Sequence, residues 1–118
     1  MPIAVAVRRH ARLWLPVVVW AALIFAFSSI PSLSTGLGTW DLVLRKLAHA
    51  AEYAILGALL HRWLPSVPLA LIAGSAYAAT DEVHQMFVSG RSGRPTDWLI
   101  DTAGVAIGIG LLRAWRRR

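Results

Sequence analysis

Side chains able to do chemistry stand inside otherwise apolar stretches of this chain. Near the start of one stretch are Lys46, His49 and Glu52, a second stretch ends with Asp81, Glu82 and Gln85, and a third opens with Asp97 and Asp101. An ionisable group within a membrane span costs about 2.5–3.5 kcal/mol on insertion scales, so the default interpretation is that it serves a function. These residues are therefore the first candidates for a functional site.

A histidine among carboxylates suits either a divalent metal or proton transfer. His49 and Glu52 are three residues apart, a helical spacing that recurs in metal sites of helix bundles. Asp81, Glu82 and His84 could complete such a site from the next helix, which makes a divalent metal a candidate cofactor. Alternatively, His49 beside Asp81 or Glu82 could act as a general base. The predicted catalytic residues are His49, Glu52, Asp81 and Glu82.

Basic side chains of the same segments suit an anionic ligand. Lys46, Arg91 and Arg94 could bind a phosphate or carboxylate headgroup without any reaction. Lys46 or Arg91 could instead act as the electrophile opposite a general base. The predicted substrate-binding residues are Lys46, Gln85, Arg91, Asp97 and Asp101.

A purely structural interpretation stands beside the functional one. The same acids and bases could pair across helices, for example Asp81 with Lys46 or Asp97 with Arg94, and hold the helices together. Such pairing adds little net stability, because desolvation offsets most of the attraction. The residues alone therefore leave open whether the chain is an enzyme.

Four apolar segments are long enough to carry these residues across a bilayer. They cover about 13–30, 47–64, 67–88 and 98–115, and about 20 helical residues span a hydrocarbon core. The chain has 118 residues, of which 57% are hydrophobic and 15% charged, which is too apolar for a soluble domain. We predict one domain over residues 1–118, an all-α, integral membrane four-helix bundle.

The basic residues flank the apolar segments and do not cover one face. This distribution argues against nucleic acid as a partner and for the lipid bilayer. With the N-terminus inside, eight Lys and Arg residues are cytoplasmic and four are external, so the positive-inside rule predicts that both termini are cytoplasmic. A secretory signal over residues 8–27 is the alternative, but the apolar run continues to Ile30. With no cysteine, disulfides and thiolate chemistry are excluded.

Helical periodicity places the polar residues of three segments together. At about 100° per residue, each segment presents one polar face, and the rise of about 1.5 Å per residue puts all three faces in the outer third of the bilayer. We therefore predict a polar site open to the outside. Gly104 and Gly108 have the spacing that lets membrane helices approach closely, and Thr96 is the predicted N-cap of the last helix.

Three blocks of the chain resemble the VanZ-like family of bacterial membrane proteins, named for an accessory teicoplanin-resistance protein. The blocks are FAFSSIP at residues 25–31, KLAHAAEY at 46–53 and TDEVHQMFVSGR at 80–91, followed by Asp97, Asp101, Gly104 and Gly108. The chain departs from the family pattern at Arg45, Ala50 and Ser89, where an acidic residue, an aromatic and a proline are usual.

The resemblance implies a multi-pass protein of the bacterial cytoplasmic (inner) membrane, connected with the cell envelope and with glycopeptide (teicoplanin) tolerance. Combined with the polar site, it leads us to expect recognition or modification of an envelope precursor or lipid headgroup, with a lipid-linked or peptidoglycan-precursor ligand. The alternative is a small non-enzymatic membrane subunit whose polar residues serve helix packing or partner binding.

Overall fold

Four helices make up the secondary structure of the residues that the structure describes. The structure is a computed structural model, and it describes residues 3–29, 39–87 and 95–117. The helices are α1 (Ile3–Ser28), α2 (Thr39–Trp63), α3 (Val67–Gln85) and α4 (Pro95–Arg116). This confirms the predicted all-α fold with four helices.

Two of the helices begin well before the apolar segments that the sequence predicted. α1 begins at Ile3 and not near residue 13, and α2 begins at Thr39 and not near residue 47. Hydropathy detects the apolar part of a helix, whereas Arg and Lys are good helix formers and allow the helix to continue past it. As a result, Lys46 lies within α2 and not at its beginning.

The starts of α3 and α4 are set by different residues. At α3, Ser66 is the N-cap and its Oγ accepts a hydrogen bond from the Leu69 amide at 3.4 Å. The prediction of Thr96 as the N-cap of α4 is wrong, because the helix already begins at Pro95. Proline suits the first helical position, where no intrahelical partner exists for an amide hydrogen.

The bundle has apolar residues on its surface and polar residues in its interior. Exposed large hydrophobic side chains occur on every helix, including Val18 on α1, Leu47 on α2, Ile72 on α3 and Ile107 on α4. The buried polar residues of the described ranges are Ser28, His61, Asp81, Glu82, Gln85 and Asp101. Apolar side chains such as Ile24, Leu56 and Val105 are also buried in the bundle. It is therefore the large number of exposed apolar side chains that suits a lipid environment.

Two of the described helices, α1 and α4, are long and apolar enough to cross a membrane by length and composition alone. The sequence predicted four spans, but α2 and α3 do not meet the same test. Both helices carry acidic residues and histidine within their lengths, and these residues lower their mean hydropathy. Together with the apolar surface, α1 and α4 indicate a membrane protein.

The helices in closest contact are α2 and α4, which run in the same direction. Gly104 and Gly108 on α4 lie against the backbone of Ala50 and Ala54 on α2, while Gly57 on α2 lies against the backbone of Val105. A Cβ at position 104 would lie 2.5 Å from the Ala50 carbonyl oxygen, closer than van der Waals contact permits. The predicted close approach at this glycine pair is present, with α2 as its partner.

Side-chain hydrogen bonds to backbone carbonyls tie the other helices to this pair. The Trp20 indole of α1 donates to the Glu52 carbonyl at 2.8 Å, and the Tyr77 hydroxyl of α3 donates to the Ala21 carbonyl. The Trp98 indole of α4 donates to the Ser75 carbonyl at 3.0 Å. All four helices are thereby held in one bundle, and residues from each of them meet at the end described next.

Candidate functional site

His49 lies at the centre of a polar cluster near one end of the bundle. Its Nδ1 is 3.5 Å from Asp101 Oδ1 on α4, and its Nε2 is 3.2 Å from Gln85 Nε2 on α3. The histidine side chain is 16% exposed. It therefore bridges two helices and retains limited access from outside.

Asp81 is the most deeply placed acid of the cluster, together with Asp101. Both residues are 2% exposed. The Tyr53 hydroxyl, which is fully buried, donates to Asp81 Oδ2 at 2.9 Å. The other oxygen, Oδ1, is buried and accepts no hydrogen bond among the described residues. A buried carboxylate oxygen without a donor is costly, so this atom calls for a physical explanation.

His49, Asp81 and Asp101 form a compact set of potential ligands. One nitrogen or oxygen from each of the three residues lies within 4.8 Å of the others. Each residue comes from a different helix, α2, α3 and α4 respectively. Only tertiary packing brings them together, since 32 residues separate His49 from Asp81 and 20 more separate Asp81 from Asp101.

The first helix also reaches this cluster. Gln85 Nε2 donates to Ser28 Oγ at 3.4 Å, and both residues are buried. Gln85 thus connects the last turn of α1 with the histidine of α2. The substrate-binding role predicted for Gln85 is untested, but its side chain lies against His49.

Lys46 and Asp97 form an ion pair beside the cluster, one turn nearer the end of the bundle. Lys46 Nζ lies 2.9 Å from Asp97 Oδ1, and the two side chains are 34% and 22% exposed. The sequence offered a pairing of Lys46 with Asp81 as one example of structural pairing. The structure instead pairs Lys46 with Asp97, because α2 and α4 are parallel neighbours in register. Asp81 on α3 meets Tyr53, which lies seven residues after Lys46 on α2.

His84 lies on another side of α3, away from His49. Its Nε2 is 2.9 Å from Ser29 Oγ, and its ring stacks on Phe25 with centroids 4.2 Å apart. The histidine is thus engaged with α1. Among the described residues, the set with metal-ligand spacing contains His49 and not His84.

Of the remaining predicted site residues, some are described by the structure and some lie outside the described ranges. Glu82 is buried on α3, and Glu52 is half-buried on α2, where its backbone carbonyl accepts the Trp20 indole. Arg91 lies outside the described residues, as does Arg94. The catalytic and substrate-binding roles predicted for these residues stay predictions.

Two members of the cluster were absent from the predicted site, namely Tyr53 and Ser28. Tyr53 stands four residues after His49 on the same helical face, so its spacing was a usable indication. Its ring lies near that of His49, with centroids 6.4 Å apart. Ser28 gave no comparable indication, since serine is common at helix ends.

The cluster can hold a proton, a cation or a polar ligand. Two carboxylates lie close together in an apolar bundle, where Coulomb interactions are stronger than in water. A neighbouring positive charge would stabilise the pair, whether supplied by protonated His49 or by a bound cation. His49 beside a buried acid also has the arrangement of an oriented general base.

Comparisons with known proteins give one finding. The search of curated proteins and the search of solved structures returned no match. The family model described as VanZ/LLP1 matches residues 8–116, nearly the whole chain. The family resemblance read from the sequence is thereby confirmed: the chain belongs to the VanZ/LLP1 family.

Proposed function

We propose that this chain is a multi-pass protein of the bacterial cytoplasmic membrane whose polar cluster recognises or modifies an envelope precursor or lipid headgroup at the outer leaflet. In this proposal the protein contributes to glycopeptide tolerance, such as tolerance of teicoplanin. Membership of the VanZ/LLP1 family and the apolar surface of the bundle support the setting.

One observation carries the proposal, the meeting of polar residues from all four helices at one end of an apolar bundle. Ser28, His49, Gln85 and Asp101 represent α1, α2, α3 and α4 in that order. Polar residues are expensive within a membrane, and mutual pairing does not require a partly exposed histidine at the centre of the group. A site for a polar ligand accounts for this arrangement.

His49 is the residue best placed to act on such a ligand. Its ring is partly exposed, and Asp101 orients it from the buried side. Without a bound metal, its Nε2 could take a proton from a ligand hydroxyl or from water that replaces the contact with the Gln85 amide. Lys46, half-exposed at the rim and paired with Asp97, lies where a phosphate oxygen would first meet a positive charge.

Orientation follows from the distribution of basic residues. The end of the bundle that carries the cluster is the one with fewer Lys and Arg residues, so the positive-inside rule places it outside. Cysteine introduced at Ser92 should react with an impermeant thiol reagent on intact cells, and cysteine at Ser66 should not. The reverse labelling pattern would contradict the outward-facing site.

The function is tested by comparing cluster variants with a matched variant nearby. His49→Gln and Asp101→Asn change the cluster, whereas His84→Gln makes the same histidine change outside the three-residue set. Each would be expressed in a host lacking its own relatives of the protein. Membrane abundance and teicoplanin susceptibility would be measured together.

We expect His49→Gln and Asp101→Asn to accumulate in the membrane and to lose the tolerance. The His84→Gln variant should retain most of it. Equal loss of tolerance in His49→Gln and His84→Gln would contradict a site centred on His49.

The alternative function is a non-enzymatic membrane subunit whose polar residues serve helix packing or partner binding. The hydrogen bond between Tyr53 and Asp81 favours it, because this buried contact joins α2 to α3 without any ligand. In that case removal of one partner should lower protein abundance, since a buried polar group that loses its hydrogen-bond partner costs about 1–3 kcal/mol. Loss of abundance in step with loss of tolerance would support this alternative.

A further inference from the structure

We propose that His49, Asp81 and Asp101 bind one divalent transition-metal ion, of which Zn²⁺ and Mn²⁺ are the best suited. The inference rests on the same cluster as the proposed function and goes further by naming the species that the cluster holds. Imidazole together with carboxylate is a donor set that suits these ions, whereas Mg²⁺ and Ca²⁺ prefer oxygen ligands alone.

The spacing of the three residues is the first support. Two ligands of a tetrahedral ion, each about 2.0–2.2 Å from it, lie roughly 3.4 Å apart. His49 Nδ1 and Asp101 Oδ1 are 3.5 Å apart, which matches that separation and exceeds the usual 2.7–3.2 Å of an N–H···O hydrogen bond. The full set lies within 4.8 Å, so small side-chain movements would bring all three to one ion.

The second support is the buried Oδ1 of Asp81. The Tyr53 hydroxyl donates a hydrogen bond to Oδ2 at 2.9 Å. The other oxygen, Oδ1, is buried without a hydrogen-bond donor among the described residues. Asp81 is 2% exposed, so bulk water does not meet that need. A metal ion would satisfy this oxygen, as carboxylates that ligate metals commonly have their second oxygen hydrogen-bonded to the protein.

Charge gives the third support. Two ionised carboxylates and a neutral imidazole carry a charge of −2, which one divalent ion neutralises. Without an ion, a protonated His49 would offset half of that charge in a region of low dielectric. The three protein ligands would leave a coordination position for water or for a ligand oxygen, the arrangement of catalytic and not of structural metal sites.

Gln85 has the position of a residue that orients the metal-binding histidine. Its side-chain amide meets His49 Nε2 at 3.2 Å and Ser28 Oγ at 3.4 Å. With the amide turned so that its oxygen faces His49, it would accept the Nε2 hydrogen and leave Nδ1 free for the ion. Partners of this kind typically change metal affinity by about 10–100-fold when they are removed.

The test measures metal binding by the full chain, purified in detergent without a histidine tag and stripped with a chelator. Zn²⁺ and Mn²⁺ salts are added separately, and bound metal per chain is measured by mass spectrometry after gel filtration. Co²⁺ serves as a spectroscopic probe of the ligands. The variants are His49→Gln, Asp81→Asn and Asp101→Asn, matched by His84→Gln and Asp97→Asn, and Gln85→Ala tests the orienting residue.

We expect about one ion per chain in the wild type, in His84→Gln and in Asp97→Asn, with at least about a tenfold loss of affinity in each ligand variant and a smaller loss in Gln85→Ala. Circular dichroism and gel filtration identify any variant that fails to fold, and Asp101→Glu, which keeps a carboxylate, should recover binding. Metal should also raise the thermal stability of the wild type and not that of the ligand variants.

A wild type that binds no more metal than Asp101→Asn would overturn the proposal, as would equal losses in the matched variants. These outcomes are separate from the proposed function. If the wild type binds no metal while His49→Gln still loses teicoplanin tolerance, the metal site is wrong and the functional site stands.

Discussion

The polar cluster and the glycine contact are two regions of one bundle held together by opposite means. Around His49, helices are joined through long polar side chains whose hydrogen bonds and ion pairs bridge the space between backbones. Around Gly108, α2 and α4 touch backbone to backbone with no side chain between them. The glycine contact fixes the distance between α2 and α4, whereas the side chains of the polar cluster can change partners or take up a ligand. The glycine contact and the polar cluster are therefore neighbours along the same pair of helices, and they adjoin where Gly104 packs against Ala50, the residue after His49.

The largest expected effect comes from filling the glycine contact. Gly108→Leu places a large side chain where even a Cβ would overlap the Ala54 carbonyl oxygen, so α2 and α4 must separate. Overpacking costs up to about 3 kcal/mol, and this site has backbone as its neighbour, which cannot move aside. Thermal unfolding in detergent should show the loss. Gly110→Leu is the matched control, because a Cβ there meets nothing within 4 Å; equal losses in both variants would refute the contact.

Removing a hydroxyl from the polar cluster should have a smaller effect on stability. Tyr53→Phe keeps the ring and deprives Asp81 Oδ2 of its donor, which should cost about 1–3 kcal/mol. Asp81→Asn in the same background should recover part of the loss, because a neutral amide needs less compensation. A double-mutant cycle measures this coupling. Strictly additive effects of the two substitutions would contradict the hydrogen bond.

The ion pair at the rim should contribute less again. Lys46 and Asp97 are 34% and 22% exposed, so solvent and salt screen their attraction. Lys46→Met and Asp97→Asn should each lower stability by about 1 kcal/mol or less, and added salt should reduce the difference. A loss as large as that of Gly108→Leu would mean that the pair is part of the rigid region.

The smallest expected effect is a gain. Gly110 is exposed on α4, and a Cβ at that position meets open space. Gly110→Ala should therefore stabilise the helix by roughly 0.5–1 kcal/mol through helix propensity, while Gly108→Ala should destabilise the bundle. Thermal unfolding should therefore show a gain in stability for one glycine-to-alanine substitution and a loss for the other. This difference in sign would distinguish the effect of the helix contact from that of helix propensity.

The number and order of the helices could be predicted from the sequence, because apolar segments of membrane length leave few other folds. The limits of the helices could not, since Arg8, Arg9 and Arg12 continue α1 beyond its apolar part. Gly104 and Gly108 predicted a close approach from their spacing alone. Their partner, α2, depended on the order of helices around the bundle, which one helical face does not specify.

The sequence predicts which helix faces carry the polar residues of the site. It does not predict which of those residues pair with one another. Periodicity predicts that Lys46 and His49 share one face of α2, and the structure has both near the same end. Which acid each one meets depends on the rotation and register of the helices. For that reason Lys46 meets Asp97, and Asp81 meets Tyr53.

The parallel contact between α2 and α4 bears on how the chain enters its membrane during synthesis. α3 lies between the two partners in sequence, so α2 emerges from the ribosome long before the glycines that pack against it. Until α4 is made, His49 lacks Asp101, and the face of α2 with Ala50, Ala54 and Gly57 has no helix to pack against. α2 and α3 are also the two described helices that do not qualify as membrane spans by themselves. In the proposed multi-pass arrangement, stable residence of the two middle helices in the bilayer would therefore depend on the last helix, and a truncation before α4 should leave α2 and α3 exposed to membrane quality-control proteases.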